Sequence, residues 1–350
     1  MKRYSLYTLA AVLLISLVWI SCSRDQGPVA PSTVRVASKP AAGIIAVQNR
    51  HTDRLMAIRG VVGTAIGEGA DGSPDIQVLT EGPGVAGIPA DLEGIPVEVK
   101  VTGKIMALGE PSVDVASKGS GSSLTTTSRW PRPVPIGVST GNVGECSAGT
   151  ISCRVKAGTT IYALSNNHVY ALENAASIGS NVLQPGRYDT GCATDPNNII
   201  GALADFEPVV FSTSANNTID AAIALSSTAN LGNATPSDGY GTPSLTTVTA
   251  FVGQAVQKYG RTTKLTKGNV TAINATVNVG YTAGTARFVG QIIIQGTKPF
   301  IKAGDSGSLL VTAPGKNPVG LLFAGTQSGV AIANQISPVL ARFGVTVDGQ

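Results

Sequence analysis

Histidine is almost missing from this chain: His51 and His168 are the only two in 350 residues. The four cysteines, Cys22, Cys146, Cys153 and Cys192, form no C-x-x-C pair, and no histidine cluster accompanies them. Together these absences argue against a zinc site, and no metal or cofactor is expected. Charge is scarce as well, at 13% of residues and net +4; without Lys2 and Arg3, in a segment expected to be removed, it is 4 − 2 = +2. So weak a balance implies neither nucleic acid nor an acidic surface as partner. There is no repeat of fixed period, and no second long apolar run follows the N-terminal one. What is plentiful is glycine, 42 residues, with many Ser, Thr and Val between short apolar runs. Such a composition favours a mainly β protein, long enough for two or three domains.

Lys2 and Arg3 precede "LYTLAAVLLISLVWIS", laid out as a secretory signal peptide over residues 1–22. "WISC", ending at Cys22, resembles a bacterial lipobox, whose cysteine is lipidated and becomes the mature N-terminus. Ordinary cleavage nearby, with Cys22 incidental, is the alternative. The expected destination is the bacterial cell envelope, by lipid anchor, or the exterior. Export places the other cysteines in an oxidising compartment. One disulfide is expected, with Cys146–Cys153 and Cys146–Cys192 both open.

Residues 23–40, rich in Pro and Ser, read as a tether. Residues 41–112 read as a small α+β domain. Ile44, Val47, Leu55 and Ile58 make a helical stripe, on whose polar face His51 is a solvated residue. A hairpin turns at Asp71-Gly72, and a third strand carries Val97, Val99 and Val101 on one face. Residues 113–133 shift to Ser, Thr and Gly and read as a linker. From 134 to 350, short apolar runs such as "TIYALS", "IDAAIAL", "RFVGQIIIQG" and "VGLLFAG" alternate with turns, predicting a sandwich or barrel, and "ISPVLARFGV" predicts a closing helix.

His168 ends an apolar strand in "LSNNHV". Asp220 precedes the apolar run of "IDAAIA", where a partly buried carboxylate needs a partner. Ser306 lies in "GDSGSL". In this order the three motifs resemble those of the chymotrypsin-fold, trypsin-like serine peptidases. The chain is most similar to bacterial members that carry a small N-terminal α+β domain and a hairpin like Lys258-Tyr259-Gly260-Arg261-Thr262-Thr263. The resemblance covers about 134–346 and implies a two-barrel fold preceded by that domain. Asn167 replaces the small residue usual before the histidine. The α/β-hydrolase elbow G-x-S-x-G does not fit, because Ser308 stands at its second glycine and its triad order differs.

The resemblance implies that Ser306 is the nucleophile, His168 its general base and Asp220 the group that orients the imidazole. It implies an oxyanion hole made by the N–H groups of Gly304 and Ser306, ordered by a buried Asp305 whose positive partner the sequence does not identify. It places Phe300 near the base of the specificity pocket, with no acid there to favour Lys or Arg. Phe323, Ala324 and Gly325 become an edge strand offering backbone hydrogen bonds to a peptide. The "YGRTT" stretch either borders this pocket or is a plain hairpin with a surface arginine. Asp189, Asp195 and Asp205 fit no calcium loop and read as solvated loop residues. The expected activity is an exported serine endopeptidase acting on polypeptides through an acyl-enzyme. The alternatives are a weak or inactive trypsin-like scaffold that binds peptides or partner proteins, and a structural protein of the envelope.

Overall fold

The computed structural model describes residues 42–108 and 124–350, all within one compact unit, Ala37–Gln350. The stretches read as signal peptide and tether, with Cys22, lie outside the described residues, as does the stretch read as linker up to residue 123. Among the described residues, no helix is long and apolar enough to cross a membrane.

The chain opens with helix α1 (Ala42–Met56) and strands β1 (Val61–Glu68), β2 (Pro74–Thr80), β3 (Asp91–Leu92), β4 (Ile95–Val101) and β5 (Met106–Ala107). There follow β6 (Ser139–Asn142), β7 (Gly149–Thr150), β8 (Arg154–Ala157), β9 (Thr160–Ser165), the short helix α2 (Asn167–Tyr170), β10 (Asn181–Leu183), β11 (Ile199–Phe206) and β12 (Ala222–Ser226). The last part holds β13 (Ala255–Gly260), β14 (Lys264–Gly280), β15 (Thr285–Gly296), β16 (Leu309–Thr312), β17 (Pro318–Gly325), β18 (Ala331–Gln335), helix α3 (Ile336–Phe343) and β19 (Thr346–Val347). The predicted apolar runs form strands, and the closing helix is α3, ended by Gly344 in the left-handed conformation.

Two sheets result. One has the order β19-β8-β9-β12-β11-β10-β6-β7. In the other, β13, β16, β17, β18, β15 and β14 follow one another, and β13 pairs back to β14, closing a barrel. A core cluster joins the two: Val155, Leu164, Ala222 and Ile223 of the first sheet pack with Leu309, Val311 and Leu321 of the second.

The N-terminal segment is stitched to the second barrel. β1 pairs antiparallel with β14 (Gly63↔Val277, Thr64↔Thr276), so β1, β2, β4 and β3 extend the barrel's own sheet. Ile44, Val47, Leu55, Ile66 and Ile76 share one apolar cluster with Val256, Ile292, Phe300 and Leu310. β1 and β2 form the hairpin predicted around Asp71-Gly72. The third strand, β4, lies parallel to β2 near the sheet edge, leaving Val99 and Val101 exposed. The stretch read as linker is anchored from Thr126 onward. Thr126 is buried with its hydroxyl on Arg261 O (2.6 Å), and Trp130 packs on the core between the sheets. Its Ser/Thr-rich composition hid this anchoring, because the partner of Thr126 lies 135 residues away.

Candidate active site

β9 delivers the chain to His168. Ser165, Asn166 and Asn167 are buried, and His168 sits in the single turn of α2, just past β9, rather than at the end of the strand itself. Asn167 fits because its amide is consumed: Nδ2 donates to Asn174 Oδ1 (2.8 Å) and Glu207 O (2.7 Å). Asp220, fully buried, precedes β12. Its N–H donates to Asn334 Oδ1 (3.0 Å), and its carbonyl accepts from Asn166 Nδ2 (2.7 Å).

These anchors aim the Asp220 carboxylate at the histidine. Oδ2 lies 2.6 Å from His168 Nδ1, and Oδ1 accepts the His168 backbone N–H at 3.2 Å. A carboxylate can only accept here, so the bond assigns the proton to Nδ1 and leaves the Nε2 lone pair available. Nε2 is buried and has no hydrogen-bond partner among the described residues. A third donor reaches Asp220: the Tyr281 hydroxyl, 2.8 Å from Oδ2. Burial, and next the Asp220 carboxylate, push the Tyr281 phenol well above its ordinary range, so it stays a proton donor. Its ring also meets the His168 ring edge to face at 6.0 Å.

Ser306 arrives on a tight turn before β16. Gly304 (φ +89°) and Gly307 (φ +93°) adopt a conformation unfavourable for other residues. A Cβ on Gly304 would come 2.7 Å from Thr262 Oγ1, and one on Gly307 would collide with Thr150 O and Ser165 Oγ. The latter contact places the neighbour of Ser306 against the end of β9, just before α2 and His168. The Ser306 hydroxyl donates to Phe323 O at 3.2 Å.

Asp305 is buried beneath this turn, and its partner is Lys258 of β13, Nζ to Oδ2 3.4 Å. The carboxylate also accepts from Thr262 N (2.8 Å), Thr263 N (3.1 Å), Thr263 Oγ1 (2.6 Å) and Lys302 N (3.0 Å). Burial lowers the Lys258 ammonium from its ordinary range, and Asp305 opposes that shift. The "YGRTT" hairpin therefore braces the turn that bears Ser306. Its arginine is not on the surface: Arg261 is buried and holds Asp189 through Nε (2.7 Å) and Nη2 (2.5 Å). Cys146 and Cys192 join as a disulfide near Asp189, while Cys153 remains a free, buried thiol.

No protein-family model matches the chain. It is 37% identical over 102 residues to streptogrisin-A of Streptomyces griseus, covering 28% of this chain and 32% of that protein. It is 36% identical over 107 residues to glutamyl endopeptidase 2 of the same organism, covering 28% of this chain and 50% of that one. The chain thus spans at most half the length of these curated relatives. The chain is related to the trypsin-like serine peptidases of chymotrypsin fold. Solved structures similar to it include a glutamic-acid-specific serine protease (24% identity, TM-score 0.44, 61% of this chain and 100% of that). Protease A of Thermobifida fusca is another (20% identity, TM-score 0.45, 62% and 100%).

Set against the pattern of these peptidases, the residues expected from the sequence fall as follows. His168 and Asp220 are in direct contact. Ser306 lies on the adjoining turn, its hydroxyl engaged with Phe323 O. Phe300 is a fully buried core side chain, beside Ile301 and partly buried Leu108. Phe323, Ala324 and Gly325 lie on β17, and β5 pairs with that strand. Asp189 is buried in an ion pair, Asp195 caps a short 3-10 turn, and Asp205 belongs to β11, held by Arg342. No cluster of three or more metal-ligating side chains occurs among the described residues. Sequence reasoning missed Tyr281 and Lys258. A tyrosine just after a long strand carries no local signal. Lys258 could have been suspected as a charge inside the otherwise uncharged run of β13.

Proposed function

We propose that the chain is an exported serine endopeptidase that cleaves polypeptides through an acyl-enzyme on Ser306. The observation that carries this is the 2.6 Å contact between His168 Nδ1 and Asp220 Oδ2, buried beside a Gly-Asp-Ser-Gly turn. Turning Ser306 Oγ from Phe323 O toward the unoccupied His168 Nε2 lets the imidazole take its proton as Oγ attacks the carbonyl carbon. Asp220, held by three donors, fixes the tautomer and stabilises the imidazolium. Tyr281 is a positioning residue, acting through Asp220. The N–H groups of Gly304 and Ser306 stabilise the tetrahedral oxyanion, in a turn braced by the Lys258–Asp305 pair. His168 then protonates the leaving amine, and water releases the acyl group by the same route. The signal layout supports export, with Cys22 as the lipid attachment point at the cell envelope.

The test is labelling of the folded full chain by a fluorophosphonate, followed by intact mass. One adduct is expected on the wild type and none on Ser306→Ala or His168→Ala. An adduct that survives Ser306→Ala overturns the assignment. A Cys22→Ser variant should lose incorporation of labelled palmitate in a bacterial host; unchanged incorporation overturns the anchor.

A further inference from the structure

β4 has an open edge. On one side it pairs with β2, from Ile76↔Val97 to Thr80↔Val101. On the other, β3 covers only Ile95 and Pro96, and the Val97 N–H donates to Ala90 O at 3.0 Å. Among the described residues, no strand pairs with residues 98–101 on that side. The Thr102 N–H donates to Thr80 O on β2 (3.0 Å), whereas that of Val97 points toward β3. Backbone groups alternate sides along a strand, so the N–H and C=O of Val99 and Val101 point outward, unpaired. Val97, Val99 and Val101 share one face of β4. Val97 packs on the apolar cluster that contains Ile44 and Leu55 of α1, while Val99 and Val101 are 45% and 55% exposed. Glu98 and Lys100 share the other face and touch, Lys100 Nζ to Glu98 Oε1 at 2.5 Å.

An exposed apolar edge invites strand addition, and a lone lysine commonly blunts it. Here the charges are self-complementary instead. A second copy turned antiparallel about Val99 sets Val99 opposite Val99, Val97 opposite Val101, and Glu98 opposite Lys100. We infer that two copies of this chain join edge to edge through β4, about a two-fold axis at Val99, as an isologous dimer. The central pair exchanges both backbone hydrogen bonds. Each Val101 N–H reaches the Val97 carbonyl of the other copy, making about four bonds in all. Glu98 and Lys100 fall at the non-hydrogen-bonded positions, where side chains across a ladder lie closest. Moving the axis to residue 98 or 100 sets two Glu98 or two Lys100 face to face, and like charges directly opposite are destabilising. The ladder also has the right length. One end stops at β3; at the other the chain bends at Gly103 (φ +81°), whose N–H joins that of Thr102 on Thr80 O. β1 and β2 lie between β4 and the barrel that bears Ser306, so this dimer stands apart from the peptidase reading.

Light scattering on size-exclusion fractions tests this, with the full chain carrying Ser306→Ala so that no peptidase activity trims it. The mass of two chains is expected at high concentration, falling to that of one on dilution. Glu98→Lys and Lys100→Glu each set like charges opposite one another, and each should weaken the dimer by about tenfold or more. Mixed in equal amounts, the two variants again face opposite charges. A heterodimer should therefore form as readily as the parent dimer, seen by native mass with a tag on one variant. Val99→Pro removes the N–H at the two-fold axis, which faces away from β2, and should give a folded monomer with a cooperative unfolding transition. A chain that is monomeric at every concentration overturns the interface. A dimer that survives both charge variants and Val99→Pro overturns it too. Two charge variants that stay monomeric when mixed overturn the register about Val99.

Discussion

At the scale of single residues, Tyr281 is the most testable member of the site. Its hydroxyl is one of three donors on the Asp220 carboxylate, and a hydrogen bond to a charged group typically contributes about 1.5–3 kcal/mol. Tyr281→Phe keeps the ring against His168, Phe211 and Phe288 but removes that donor. Labelling by fluorophosphonate should slow by about tenfold or more, with the unfolding midpoint changed by only a few degrees. An unchanged labelling rate would remove Tyr281 from the mechanism. Cys153 gives the opposite kind of prediction. Burial pushes its thiol up to about 12, so the native chain should resist iodoacetamide at pH 8 and react only once unfolded.

At the scale of elements, the hairpin between β13 and β14 carries the turn that bears Ser306 on a buried ion pair. Lys258→Met leaves Asp305 charged and without its cation, a change that costs on the order of 3–5 kcal/mol in buried pairs. A large drop in thermal stability and loss of labelling are the expected result. In the N-terminal segment, β2 hides Asp75, whose carboxyl is pushed up to about 6, first by burial and then by Glu98. Its folded pKa exceeds the ordinary 3.8, so the folded chain binds the extra proton between those values. Stability therefore falls as pH rises through that window, and the penalty is complete above it. Asp75→Asn should raise the unfolding midpoint at pH 8 and give no gain at pH 3.5; equal gains at both would refute the shift.

The same elements show what the sequence could convey. Runs such as "TIYALS" and "VGLLFAG" announced their strands because apolar length and turn punctuation are local properties. The His168–Asp220 contact could be anticipated because each motif is short and the order of the motifs is informative. The strand pairing between β1 and β14 was not, because residues 63 and 277 share a ladder without any shared pattern. Nor was the partner of Asp305, or the seat of Arg261, which the sequence left either at the pocket border or on the surface. Long-range partners of buried charges are set by packing, and packing is what a sequence read piece by piece does not carry.

At the scale of the molecule, the Cys146–Cys192 bridge spans 46 positions and clips the loop that bears Asp189, hence Arg261 and the hairpin under Ser306. Closing a loop of that length corresponds to about 4 kcal/mol in the chain-entropy picture. Reduction by dithiothreitol should lower the unfolding midpoint of the full chain markedly, and should slow labelling below that midpoint.

The ladder between β1 and β14 has a consequence for timing. While residues 106–108 are covalently joined to the rest, an outside peptide competes with an occupant whose effective concentration is in the millimolar range or above. Only the parting of residues 106–108 from β17 lifts that competition, and the ladder between β1 and β14 keeps them close enough to return.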